Sequence, residues 1–308
     1  MTAGRSPDRS ALIDKLRSAH RNRLGAPSPS RRSPHKGADK PKSFDFSELP
    51  AAREIALHRA AAETFGLNSP FFRVHFGPPQ PEIMIGDNVR SNFASYNYLG
   101  LNGHTEVSTA AKDAIDRYGI SATASRLVGG ERPCHRSLEQ ALAASCGTED
   151  AVVMVSGHAT NVTTIGTLLG REDLILMDQL SHNSIAEGAR LSQATRLSFP
   201  HNDYDWLDEQ IGKARARHRH VLIAVEGLYS MDGDTPDLAR LVEIKDRHDA
   251  WLMVDEAHAV GVLGNAGRGL AEAQSIDPRR IEIWMARYRR HSHLVVATSP
   301  EAGHWSRS

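Results

Sequence analysis

Cysteine is scarce in this chain. Of 308 residues only Cys134 and Cys146 are cysteine. Both fall in a predicted helix and neither has metal-ligand spacing. That usage argues against a disulfide framework and for a reducing, cytoplasmic setting. Long apolar runs are lacking too. No stretch approaches the ~20 residues a membrane helix needs. The N-terminus is polar, rich in Arg and Ser, and has no apolar centre, so it does not read as a secretory signal; its composition leaves an organelle transit peptide open. Net charge is absent as well, with 37 basic against 37 acidic residues. That balance gives no electrostatic reason to expect nucleic acid or a membrane surface as partner. No internal repeat is evident.

What is there divides into three compositional regions. Residues 1–43 are rich in Arg, Lys, Ser and Pro and are expected to be a disordered basic tail, with a short basic helix possible over 11–24. Residues 44–90 form an N-terminal segment, and 91–285 read as a large α/β domain. Buried-strand runs are predicted at 151–155, 174–177, 221–225, 251–254 and 281–284. Helical-period segments separate them at 106–118, 135–146, 160–169, 184–192, 204–217 and 236–248. Short apolar strands alternating with helices predict a mainly parallel sheet covered on both faces. In such a sheet, ligands sit beyond the carboxyl ends of the strands. Residues 286–308 carry little of the preceding pattern and read as an aberrant tail.

The strand ends hold most of the chemistry-bearing residues. Residues 251–254 lead into Asp255-Glu256-Ala257-His258. That string also occurs in helicases, but the phosphate loop a helicase requires is missing. Asp178 and Ser181-His182-Asn183 follow 174–177. Ser156-Gly157-His158, and then Asn161 at a helix start, follow 151–155. Glu226-Gly227, Ser230 and Asp232-Gly233-Asp234 follow 221–225. A single such Asp can merely cap a helix, and a single such His is more often structural. Small residues and a helix N-terminus beyond Val155 suit an anion such as phosphate. An Asp, a nearby His and a phosphate cradle together match the needs of a phosphorylated aromatic cofactor.

The ordered motifs carry a resemblance. They are Asn92-Phe-Ala-Ser-Tyr-Asn-Tyr-Leu-Gly-Leu101; Tyr118-Gly-Ile-Ser-Ala-Thr-Ala-Ser-Arg-Leu-Val-Gly-Gly130 with His135 and Leu138-Glu139; Asp178-Gln-Leu-Ser-His-Asn183; His201-Asn-Asp203; Glu226-Gly-Leu-Tyr-Ser-Met-Asp-Gly-Asp234; and Val254-Asp-Glu-Ala-His-Ala-Val-Gly261 with Gly264 and Gly267-Arg-Gly269. Between residues 44 and 285 the chain resembles the α-oxoamine synthases, which include serine palmitoyltransferase, 5-aminolevulinate synthase, 8-amino-7-oxononanoate synthase and 2-amino-3-ketobutyrate ligase. The Asn-Tyr-Leu-Gly stretch preceded by Tyr96 leans toward the serine palmitoyltransferase branch. The resemblance implies a fold-type I, aspartate aminotransferase-like large domain that binds pyridoxal 5′-phosphate, usually as a homodimer. It implies an acyltransferase that condenses an amino acid with an acyl-CoA or other acyl thioester and releases carbon dioxide. By the same resemblance, Asp255 would hold the pyridine nitrogen protonated, which makes the ring an electron sink. His182 would stack on the ring. His258 and Ser230 would lie at its phenolic oxygen. Gly157 and His158 would approach the phosphate, although many relatives carry an aromatic in place of His158. Asn97, Tyr98 and His201 would lie toward the substrate.

One expected residue is missing. The family places the lysine that binds its cofactor covalently in a string like Gly-Thr-Leu-Ser-Lys-Thr after the strand at 281–284. Arg290 stands near that position, and a guanidinium that stays protonated cannot make the bond. Residues 286–308 can be back-translated one base out of register. With a single G restored after the Met285 codon, compatible codons spell Gly-Thr-Leu-Ser-Lys-Thr-Leu-Ala and then Gly-Gly-Tyr-Ile-Ala-Gly. The tail is therefore expected to be a frameshift product. The family's small C-terminal domain is likewise expected to be missing, which would expose apolar surface. Two further readings stand beside this one: a non-catalytic partner subunit of a lysine-bearing homologue, and a generic phosphate-cofactor binder.

Overall fold

A computed structural model describes residues 45–67, 69, 71–287 and 293–297. The basic tail expected over 1–43, its helix at 11–24, and Arg290 lie outside the described residues. The chain divides into two compact units, residues 1–76 with 84–88, and 77–83 with 89–308. In the first, a 3-10 turn at Phe46–Glu48 leads into helix α1 (Pro50–Thr64), with proline in its first turn, where no amide donor is lost. Strands β1 (Glu82–Ile85) and β2 (Asn88–Ser91) form a separate two-stranded sheet.

The second unit carries the alternation predicted from sequence. Its elements are α2 (Thr105–Tyr118), α3 (Pro133–Cys146), β3 (Val152–Met154), α4 (Gly157–Leu168), β4 (Leu174–Asp178), α5 (Asn183–Ser192), β5 (Thr195–Phe199), α6 (Tyr204–Ala214), β6 (Val221–Glu226), α7 (Leu238–Arg247), β7 (Trp251–Asp255), a short α8 (Leu270–Ala273), β8 (Ile283–Arg287) and β9 (His293–Ala297). Among the described residues the main sheet has seven strands in the order β3-β9-β8-β7-β6-β4-β5. The run from β8 to β5 is parallel throughout. Strand β9 is antiparallel to both its neighbours, β3 and β8.

The core explains why the central strands read as unbroken apolar runs. Leu174, Leu176, Val221, Ile223, Val225, Leu252 and Val254 point to one face, against Leu207 and Ile211 of α6 and Leu238 and Leu241 of α7. The alternate residues Ile175, Leu222, Ala224 and Met253 point to the other, against Ile165 of α4 and Ile185 and Ala189 of α5. A strand covered on both faces needs apolar residues at every position. Each fully buried Leu or Ile contributes about 1.5–3 kcal/mol relative to exposure.

Besides β1 and β2, two strands of the main sheet go beyond the expected runs. Strand β5 lies at the sheet's edge and alternates polar residues with Leu197 and Phe199, so it lacks a continuous apolar run. Strand β9 falls within the stretch read as an aberrant tail, and its backbone pairs Val152 with Val295 and Met285 with Val295. Strand β8 also runs two residues beyond Met285.

Helices α4 and α5 approach closely because a glycine faces their contact. A Cβ built at Gly188 would sit 2.9 Å from both the Asn161 carbonyl oxygen and the Ile165 Cβ. The approach brings the polar side chain of Asn161 beside the start of α5.

Candidate functional site

The carboxyl ends of β4, β6 and β7 lie side by side, and each ends on an acid: Asp178, Glu226 and Asp255. Asp255 is buried. One of its oxygens accepts from the Ala257 amide at 3.0 Å and the other from Asn161 Nδ2 at 2.8 Å. Glu226 is its register neighbour on β6 and accepts from the His182 amide at 2.5 Å. Burial, followed by the nearby Asp255 charge, pushes the Glu226 carboxyl up to about 8. Glu226 is therefore largely protonated near neutral pH. Glu256 faces the opposite way, accepting from the Leu270 amide at 3.1 Å, and burial raises it to about 8 as well. A Cβ at Gly227 would fall 2.4 Å from Glu256 Oε2, so this glycine is needed for the strands to close over that buried acid.

His182 caps α5. Its Nδ1 accepts from the Ser184 amide at 3.2 Å and lies 2.7 Å from Ser184 Oγ. The His158 ring stands edge-on to it, with centroids 6.2 Å apart. His158 and Gly157 open α4, where Ser156 Oγ accepts from the Ala159 amide at 3.1 Å. The other first-turn amides of α4, with the positive end of the helix dipole, form a setting suited to an anion.

The remaining residues singled out from sequence divide. His258 Nδ1 shares a hydrogen with Tyr98 Oη at 2.7 Å, which joins the 92–101 segment to the loop after β7. Ser230 is exposed in the loop after β6, and its backbone amide bonds Glu226. Asn97 is occupied locally: its amide nitrogen donates to the Pro79 carbonyl at 2.8 Å and its oxygen accepts from the Asn102 amide at 3.0 Å. His201 is engaged at both ring nitrogens, Nδ1 with Asp178 at 2.9 Å and Nε2 with Asp234 at 2.7 Å, and the Tyr229 ring packs edge-on against it. Burial opposes its charge, but the bonds to Asp234 and Asp178 outweigh burial and raise its pKa. These bonds make His201 a latch between β4, β5 and the 227–234 loop.

Two connecting residues were not assigned roles in advance. Asn161 appeared only as a helix start, and Ser184 gave no signal beyond following a His-Asn pair. The motif pieces around Arg126 and Glu139 also acquire a reason to occur together. Arg126 Nη1 donates to the buried Glu139 at 2.6 Å and to the Val153 carbonyl at 3.1 Å, tying a π-helical turn at Arg126–Gly130 to α3 and β3.

The fit to a phosphorylated pyridine can be judged from these contacts. A buried carboxylate for the ring nitrogen, an imidazole at the start of α5 and a helix N-terminus for the phosphate are all present. The residues between β8 and β9, Tyr288-Arg289-Arg290-His291-Ser292, contain no lysine, and none occurs anywhere in 286–308.

The sheet order, its single antiparallel strand and these strand-end acids define a fold-type I pyridoxal-phosphate-dependent transferase. The family model for aminotransferase class I and II matches residues 90–299, and the chain belongs to that family, within its α-oxoamine synthase branch. A putative 8-amino-7-oxononanoate synthase of Gloeobacter violaceus is 43% identical over 65% of this chain and 52% of its own length. The 8-amino-7-oxononanoate synthase of Granulibacter bethesdensis is 42% identical over 76% of this chain and 58% of its own. Among solved structures, Sphingomonas wittichii serine palmitoyltransferase superposes with a TM-score of 0.78 at 32% identity, covering 84% of this chain and 65% of that one. The chain thus spans about half the length of the curated relatives it matches. These matches include both oxononanoate synthases and serine palmitoyltransferase. Among the described residues no helix is long and apolar enough to cross a membrane.

Proposed function

We propose that this chain is the cofactor-binding part of an α-oxoamine synthase and that it grips pyridoxal 5′-phosphate without a covalent bond. The observation that carries the reading is the buried Asp255 carboxylate, oriented by Asn161 and linked through Asn161 and Ser184 to His182, the N-cap of α5. Asp255 would hold a proton on the pyridine nitrogen. His182 would cover a ring face, His258 with Tyr98 would border the phenolic side, and the α4 N-terminus at Gly157 and His158 would receive the phosphate. The bound cofactor supplies an electron sink for amino-acid chemistry. The family reaction is a decarboxylative condensation of an amino acid with an acyl-CoA or other acyl thioester. We assign it to the sequence from which this chain derives, acting as a homodimer.

This chain is proposed to be inactive or nearly so, because Arg290 and its neighbours offer no amine for the covalent bond. We propose further that residues 286–308 are a frameshift product. Codons beyond Met285 that cannot spell the lysine motif in the shifted frame would end it. A non-catalytic partner subunit is the alternative, and co-purification of a lysine-bearing homologue would favour it.

The test is borohydride treatment of the purified chain mixed with pyridoxal 5′-phosphate, followed by intact mass. The expected result is binding that dialysis reverses and no site-specific adduct. A single stoichiometric adduct at one lysine would contradict the non-covalent reading.

A further inference from the structure

Asp255 and His182 belong to different strand ends, yet a continuous chain of hydrogen bonds joins them. Asn161 Nδ2 lies 2.8 Å from Asp255 Oδ2 and 2.9 Å from Ser184 Oγ. Ser184 Oγ lies 2.7 Å from His182 Nδ1. Asn161 and Ser184 are both fully buried, so no solvent exchange loosens these contacts.

The hydrogens along this chain can be assigned from chemistry. An amide nitrogen has two hydrogens and no acceptor capacity. Turning the Asn161 amide over would set its oxygen against the Asp255 carboxylate, acceptor against acceptor. The amide nitrogen therefore faces Asp255 and Ser184, and both its hydrogens are used. Ser184 Oγ accepts one of them and keeps its own hydrogen to give, so it donates to His182 Nδ1 wherever that nitrogen is an acceptor. The Ser184 backbone amide, 3.2 Å from the same Nδ1, can only donate. Two donors thus converge on Nδ1. That nitrogen carries no hydrogen, and the ring proton of the neutral imidazole sits on Nε2.

The arrangement carries a cost. Asn161 Oδ1 is buried without a hydrogen-bond partner among the described residues. An unpaired buried acceptor is destabilising, and an apolar side chain of the same shape would avoid the penalty. Both donors of the amide are engaged, and its acceptor is left over.

We propose that Asn161 and Ser184 are positioning residues that lock His182 as its Nε2–H tautomer and tie that ring to the carboxylate of Asp255. Toward the cofactor, the inference rests on the pyridoxal-phosphate reading above. The group that receives the pyridine nitrogen and the ring that covers its face are then one preset unit. The close approach of α4 and α5 at Gly188 brings the two halves together.

The test is 15N NMR of the full chain labelled at histidine, without cofactor, with the His182 signals among 16 histidines assigned by their loss in His182→Gln. The expected parent spectrum has a hydrogen-free Nδ1 and a protonated Nε2 in a single tautomer. Ser184→Ala is expected to let the two tautomers mix, which draws the two nitrogen shifts together, while Ser184→Thr restores the single form. A parent His182 with its hydrogen on Nδ1, or with mixed tautomers, overturns the proposal; so does a Ser184→Ala spectrum identical to the parent. A second arm titrates pyridoxal 5′-phosphate into the parent and Asn161→Ala, with the dissociation constant expected to rise about tenfold from loss of one bond to a charged carboxylate. An unchanged constant overturns the tie to Asp255. A parent chain that shows the single tautomer but takes up no pyridoxal 5′-phosphate sustains the lock on His182 and overturns the cofactor reading instead.

Discussion

Glu226 and Asp255 stand opposite each other at the carboxyl ends of adjacent parallel strands, and burial together with the proximity of Asp255 disfavours charge on Glu226. Glu226 is pushed up to about 8 from an ordinary value of 4.5. Between those values the folded chain holds a proton that the unfolded chain has released. The stabilisation is fully present below the ordinary value and is lost as pH rises through about 8. Glu226→Gln keeps an acceptor for the His182 amide and removes the titration. Denaturant unfolding between about pH 5 and 9 is expected to give a flatter stability profile for this variant than for the parent, and greater stability at the alkaline end. Equal slopes would mean that Glu226 is ionised in the fold.

The His201 latch titrates with consequences in the same direction. Its raised pKa means the charged imidazole is favoured in the fold by Asp178 and Asp234. That contribution is complete below the unfolded value of 6.5 and fades as pH rises through the raised value. His201→Gln is expected to cost about 1–3 kcal/mol in mildly acidic solution. The deficit should shrink under alkaline conditions, as followed by thermal unfolding across pH. A deficit that does not change with pH would leave packing against Tyr229 as the whole of its role.

Two helical glycines predict opposite outcomes. Gly188→Val would push into the Asn161 carbonyl and Ile165, and overpacking of this kind costs about 1–3 kcal/mol. It should also disturb Asn161 and weaken cofactor uptake. Gly212 lies within α6, where an added Cβ would make an ordinary contact 3.5 Å from His248 Cε1. Gly212→Ala is expected to stabilise by about 0.5–1 kcal/mol through helix propensity alone. Calorimetry of the two variants tests both statements.

The central strands could be read from sequence because burial on two faces writes itself as an unbroken apolar run, as in Val221-Leu-Ile-Ala-Val225. Strand β5 could not, since an edge strand with Arg196 and Ser198 facing outward lacks that run. The positions of Asp255, His182 and Gly157 beyond strand ends were legible because the apolar runs before them mark where the strands stop. The role of His201 was not, because its partners lie 23 and 33 residues away and only the fold brings them to both ring nitrogens. The local bonds of Asn97 were hidden in the same way, because they join its amide to Pro79 and Asn102 through the fold. Ser184 was invisible for a different reason. Its contribution depends on which atoms donate and which accept, and residue types alone do not carry that information.

If Asp255 anchors a reversibly held pyridoxal 5′-phosphate, removing its carboxyl group weakens uptake. The most direct measurement is a fluorescence or absorbance titration of the cofactor into the parent chain and into Asp255→Ala. Saturable uptake by the parent and at least about tenfold weaker uptake by the variant are expected, since the partner of the pyridine nitrogen is gone. Equal affinity in the two, with both chains folded, would contradict that anchoring role.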